Sequence, residues 1–231
     1  MKKMLGFLAA VVAMTGAANA AFAPPTTFYT TSTGFYYYGT GGGYSGYQEY
    51  TKHGLTMTVH GATYNDNNPQ EITGSAPTQV WGSGTGIDRG YYDGHQVDGN
   101  KTNEAVVIKF DQKVKLISAK FSYVNGPSKN SDGDDIDIFV EDLSNLGNLI
   151  YDSGEWDIHS GNNPFNFEDQ LGYALIGSLF GLGADGKNDA WKLKAITVAK
   201  HIPEIPVPAA LPLFLAGLGT IGWAKKRRKS A

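Results

Sequence analysis

At 231 residues the chain has room for one domain with appendages, and its 19 basic and 22 acidic residues leave a net charge of −3. It has no cysteine, which excludes disulfide staples, thiolate nucleophiles and thiolate metal sites. Seven of the basic residues lie in 1–20 and 206–231, so residues 21–205 carry 12 basic against 22 acidic residues, a net of −10. Such a body lacks the clustered Lys and Arg that phosphate contacts need, which argues against nucleic acid as a partner.

The chain opens with Lys2 and Lys3, an apolar run from Met4 to Met14, and Ala18-Asn19-Ala20. Basic flank, apolar core and small-x-small motif in that order predict a signal helix over 1–20, cut by signal peptidase at Ala18 and Ala20. Residues 21–54 are rich in Gly and Tyr and read as loop, with at most one irregular edge strand. Strand patterns begin at Leu55–His60 and return at Ala105–Phe110, where Asp111-Gln112 reads as a tight turn into Val114–Val124. Ile136–Glu141, Leu149–Tyr151, Tyr173–Gly177 and Trp191–Val198 follow, and Leu171–Leu182 reads alternatively as a short helix. Thirty glycines suit turns and bulges rather than helices. Residues 55–202 are therefore expected to form an all-β domain, a β-sandwich or jelly roll.

The last segment, 203–231, holds the uncharged run Leu211–Ala224 and then Lys225-Lys226-Arg227-Arg228-Lys229. This predicts a short C-terminal transmembrane helix with its cations on the cytoplasmic side. Ahead of it stands Ile205-Pro206-Val207-Pro208-Ala209-Ala210-Leu211-Pro212-Leu213-Phe214-Leu215-Ala216-Gly217-Leu218. This tail resembles the PEP-CTERM sorting region of exopolysaccharide-producing Gram-negative bacteria, in its V-P-L-P-A variant, with Val207 where the name-giving motif has Glu. The resemblance implies an exosortase that reads Ile205, Pro206, Val207, Pro208, Ala209 and Ala210 and cuts nearby. The protein would then stay only transiently in the inner membrane before reaching the cell surface or extracellular matrix. Trp81–Ile87, His95–Gly99, Asn103–Val107, Asp134–Phe139 and the strand Trp191–Val198 also resemble uncharacterised domains found upstream of such tails, which implies a sandwich fold and no known reaction.

Candidate chemistry in the body is sparse. Asp132, Asp134, Asp135 and Asp137 form the densest acidic cluster, and a flexible carboxylate loop can cage Ca2+. The alternative is an Asp-Gly turn leading to a solvated strand face. Asp93, Asp98, Asn103 and Glu104 form a second group: Asp98-Gly99-Asn100 reads as a turn, or Glu104 reaches back to Asp98 to share a cation. The five histidines form no zinc-ligand pair, and Gly82-x-Gly84-x-Gly86 lacks the helix that a phosphate loop requires. Trp81, Tyr91 and Tyr92 are candidates for stacking on polysaccharide, against the alternative that such rings are core or pack a Gly-rich loop. With delivery signals and no catalytic constellation, the reading is a non-enzymatic surface module associated with exopolysaccharide. The alternative is a secreted carbohydrate-active hydrolase, whose paired carboxylates would be visible only in three dimensions.

Overall fold

The computed structural model describes residues 21–31, 36–38, 47–65, 71–89, 95–99, 102–124, 134–141, 149–159, 161–186 and 189–202. The chain divides into two compact units, Phe22–His201 and a second made of Met1–Ala21 with Ile202–Ala231. The predicted signal helix, transmembrane helix and sorting motif lie outside the described residues. Among the described residues no helix is long and apolar enough to cross a membrane.

The fold is all-β, as the sequence patterns predict. In chain order the strands are β1 (Ala21–Phe22), β2 (Thr26–Tyr29), β3 (Tyr36–Tyr38), β4 (Gln48–Lys52), β5 (Leu55–Tyr64), β6 (Ile72–Ala76), β7 (Thr78–Trp81) and β8 (Gly84–Ile87). They continue with β9 (Val97–Asp98), β10 (Asn103–Ser122), β11 (Asp134–Glu141), β12 (Leu149–Ile158) and β13 (Phe165–Asn166). The helix α1 (Phe167–Leu171) precedes β14 (Ile176–Ala184) and β15 (Ala190–Ile202). The helical reading of Leu171–Leu182 is thus corrected: Gly172, at φ 78°, ends the helix, and Phe180, Leu182 and Ala184 alternate into the core as a strand.

Among the described residues the Gly- and Tyr-rich segment holds four short strands rather than one, a second correction. Thr26 to Tyr29 lie antiparallel on Val198 to Ala195, a partner some 170 positions away that no local pattern announces. β4 forms a hairpin with β5 through His53 and Gly54, at φ 51° and 69°. Two successive left-handed residues are what a tight antiparallel turn with the natural strand twist requires. The expected boundary at 54/55 therefore falls inside a hairpin.

A third correction concerns Asp111-Gln112. No turn forms there; β10 runs unbroken for 20 residues. Its first half lies between β5 and β14, with Val107 opposite His60 and Gly181. Its second half pairs with β15 from Val114 to Ser122. The polar pair sits at this hand-over and binds the β4–β5 turn: Asp111 Oδ1 accepts the Thr56 N–H (3.1 Å), and Gln112 Nε2 donates to Gly54 O (3.0 Å).

β10 thus joins two arms of one hydrogen-bonded network. One arm is β12-β11-β14-β10-β5, with β4 and β6 side by side on β5; the other is β10-β15-β8-β7-β3. Met57, Val59, Ile108 and Phe180 of the first arm share a fully buried cluster with Phe28, Leu193, Ile196 and Val198 of the second. Phe121 meets Trp191 edge-on at 5.0 Å inside it. In β15, Trp191 and Leu193 face inward, and so do Ile196 and Val198, two positions of opposite parity reconciled by register shifts against β10. One slipped residue lets the strand keep its apolar side on the core.

The outward face of the first arm carries a second apolar cluster of Ala62, Tyr64, Ala105, Val107, Phe139, Leu149 and Leu179. Gly183 makes room for it, because a Cβ there would stand 2.7 Å from Tyr64 and 3.0 Å from Phe139. Tyr64 and Phe139 fill the trough edge-on at 4.8 Å.

Candidate functional site

Asp137, a candidate calcium ligand, lies at the foot of this aromatic trough. It is buried, and its Oδ2 accepts the Tyr64 hydroxyl at 2.6 Å. Asp134 and Asp135 stand apart from it at the start of β11. Asp134 is buried and its Oδ1 accepts the Ala190 N–H (3.1 Å). The backbone N–H of Asp135 donates to Asp189 Oδ1 (3.2 Å), and its carbonyl accepts the Trp191 indole N–H (3.2 Å). Glu104 does reach back to Asp98, but to its backbone: Oε2 accepts the Asp98 N–H at 3.3 Å. Asp132 and Asp93 lie outside the described residues. Among the described residues no three His, Asp or Glu side chains gather as a metal would need. The carboxylates read as a Ca2+ cluster accept hydrogen bonds from different partners: Asp134 and Glu104 from the backbone N–H groups of Ala190 and Asp98, and Asp137 from the Tyr64 hydroxyl.

Burial pushes the Asp189 carboxyl above the usual aspartate range. The N–H groups of Asp135 and Gly186 oppose that rise, and the charges of Asp185 and Asp134 add to it. Asp189 was absent from the sequence reading, since a single Asp before a strand carries no local signal.

The other candidate region is built around Trp81, at the end of β7. In β7, Thr78, Gln79 and Val80 are buried and Trp81 is half-buried, with Gln79 and Trp81 on one side of the strand. Trp81 Nε1 donates to Gln79 Oε1 (3.1 Å), and Gln79 Nε2 donates to Asp88. Asp88 Oδ1 lies 3.3 Å from His95 Nδ1, and the His95 ring stacks on Trp81 at 5.8 Å with 23° between planes. Gly86 permits this approach, since a Cβ there would meet the His95 carbonyl at 2.1 Å. Gly84-x-Gly86 therefore serves close strand contact, not phosphate.

Lys192 completes the assembly. It lies between inward-facing Trp191 and Leu193 and so points outward, yet only 4% of it is exposed. Its Nζ lies 5.0 Å from the Trp81 ring centre and 5.3 Å from that of Tyr123. A desolvated ammonium held over aromatic rings is worth about 2 kcal/mol. Tyr123 itself is 58% exposed and sits at φ 66°, a conformation that costs a bulky residue about 1–3 kcal/mol. His95 shares that conformation at φ 54°. Two residues with left-handed backbones thus border the Trp81–Lys192 pair: His95 stacks on the indole and Tyr123 lies against the ammonium. Trp81 is a candidate the sequence supplied; Lys192 and Tyr123 were read as strand residues, and Tyr91 and Tyr92 lie outside the described residues.

Comparison of the chain with protein-family models, with curated proteins and with solved structures gives no match.

Proposed function

We propose that this is an exported surface or matrix module, a sandwich of jelly-roll type, which holds polysaccharide without chemically altering it. The observation that carries the binding reading is Tyr123. It is an exposed aromatic ring in a strained backbone conformation, backed by the buried Lys192, whose ammonium also lies over half-buried Trp81. A rigid ring with polar neighbours offers a platform for the C–H face of a sugar at little entropic cost. The delivery reading rests on the signal-like start and the sorting-like tail, with signal peptidase and an exosortase as processing partners.

The test expresses the wild-type and Tyr123→Ala chains in an exopolysaccharide-producing Gram-negative host. The intact mass of the recovered protein is measured, together with the fraction retained by the polysaccharide. Chains starting near Ala21 and ending near Ile205–Ala210, retained as wild type and released by Tyr123→Ala, are expected. A recovered chain that still carries Lys225–Lys229 overturns the delivery reading, and equal retention of both chains overturns the binding site.

A further inference from the structure

The outward face of the first arm bears a cleft of about 360 Å³ lined by Tyr47, Glu49, Thr56, Thr58, His60, Lys109, Phe110 and Asp111. That volume lies at the lower end of the range for small-molecule sites, ≈300–1,000 Å³. Its floor is regular sheet. Thr56, Thr58 and His60 alternate with core residues Leu55, Met57 and Val59 along β5, and Thr58 lies opposite Lys109 of β10.

The wall chemistry is mixed in a particular way. Tyr47, 57% exposed at the rim, supplies a ring face. Thr56 and Thr58 each donate and accept, Lys109 donates, and the carboxylates of Glu49 and Asp111 accept. Burial, and after it the charge of Lys109, holds His60 below the usual histidine range. At neutral pH its imidazole is therefore uncharged, with one nitrogen donating and one accepting. Glu49 and Asp111 are both exposed, and Asp111 already accepts the Thr56 N–H. This is not the water-excluded acid needed for protonating a glycosidic oxygen.

We infer that this cleft binds one pyranose unit of a neutral saccharide, with the C–H face of the sugar on Tyr47 and its hydroxyls among Thr58, His60, Lys109 and Glu49. The inference rests on the polysaccharide reading above but uses different residues. The cleft is built on β4, β5 and β10, and the Tyr123 platform on β7, β15 and the residue after β10, so the two are separate sites.

The experiment uses the isotope-labelled full chain in a detergent without a sugar headgroup. Maltose, cellobiose and N,N′-diacetylchitobiose are added at millimolar concentration. The amide signals of Thr56, Thr58 and His60 report the cleft, and those of Tyr123 and Lys192 report the platform. Shifts at the cleft, weakened about tenfold by Tyr47→Ala and unchanged by Tyr123→Ala, are expected. Shifts at the platform alone overturn the inference and leave the proposed function standing. Shifts at the cleft alone uphold the inference and remove the platform, and no shift at either site overturns both.

Discussion

Asp134 and Asp189 each accept the backbone N–H of the residue that follows the other: Asp134 holds Ala190, and Asp189 holds Asp135. This reciprocal latch closes the start of β11 on the start of β15. Asp134→Ala leaves the Ala190 N–H without that acceptor in a buried setting, for an expected loss of about 1–3 kcal/mol. Because the two carboxylates secure the same junction, the double Asp134→Ala, Asp189→Ala variant is expected to lose less than the sum of the single changes. Urea unfolding of the four chains checks this, and strict additivity would show that the latch is not a unit.

The latch also has a pH signature. The Asp189 carboxyl ionises above the ordinary 3.8 in the folded chain, so the folded state holds the proton more tightly than the unfolded state. Its contribution to stability is therefore lost as pH rises through the window above 3.8 and regained on acidification. Wild type is expected to gain stability over Asp189→Asn as pH is lowered from neutral towards that value, measured by unfolding at several pH values.

His60 acts with the opposite sign. Its folded-state value lies below the ordinary 6.5, so the unfolded chain takes up the proton first and stability falls as pH drops below that value. His60→Gln is expected to flatten this loss, and Lys109→Ala to move the His60 titration upward, since one of its two causes is removed. An imidazole NMR titration unmoved by Lys109→Ala would show that burial acts alone.

In the aromatic trough, Gly183→Ala drives a methyl into Tyr64 and Phe139 and is expected to cost about 1–3 kcal/mol by overpacking. Tyr64→Phe keeps the shape and removes a donor from buried Asp137, at about 1–3 kcal/mol. Thermal unfolding of each variant reads both effects.

Calcium is expected to leave the melting temperature where it is, and so is its removal by a chelator. Asp134 and Asp137 already accept hydrogen bonds from Ala190 and Tyr64, and Glu104 from Asp98. A calcium-dependent rise in melting temperature would place a site with the segment that carries Asp132.

The strands legible in the sequence were those with local alternation or a short apolar run: Leu55–His60, Ile136–Glu141 and Trp191–Val198 all fall within observed strands, the last with a register shift between Leu193 and Ala195 that no pattern announces. β2 was illegible because Thr26–Tyr29 becomes a strand only by lying on β15. The unbroken β10 was misread because Asp111 and Gln112 look like turn residues until the β4–β5 hairpin is there to receive them. At the candidate site, Trp81 was visible as a large aromatic among glycines. Lys192 was not, since a lysine on an alternating strand is ordinarily solvated, and the Trp81 and Tyr123 rings that lie by its ammonium are distant in sequence.

β15 is the last strand of the described residues. It pairs lengthwise with β10 from Lys192 to Lys200 and with β2 from Ala195 to Val198, and Lys200 O also accepts the Ala23 N–H. A pull on the chain beyond Ile202, with the body gripped elsewhere, runs along the axis of this strand. The ladders on both its edges are then loaded together in shear, not peeled apart rung by rung.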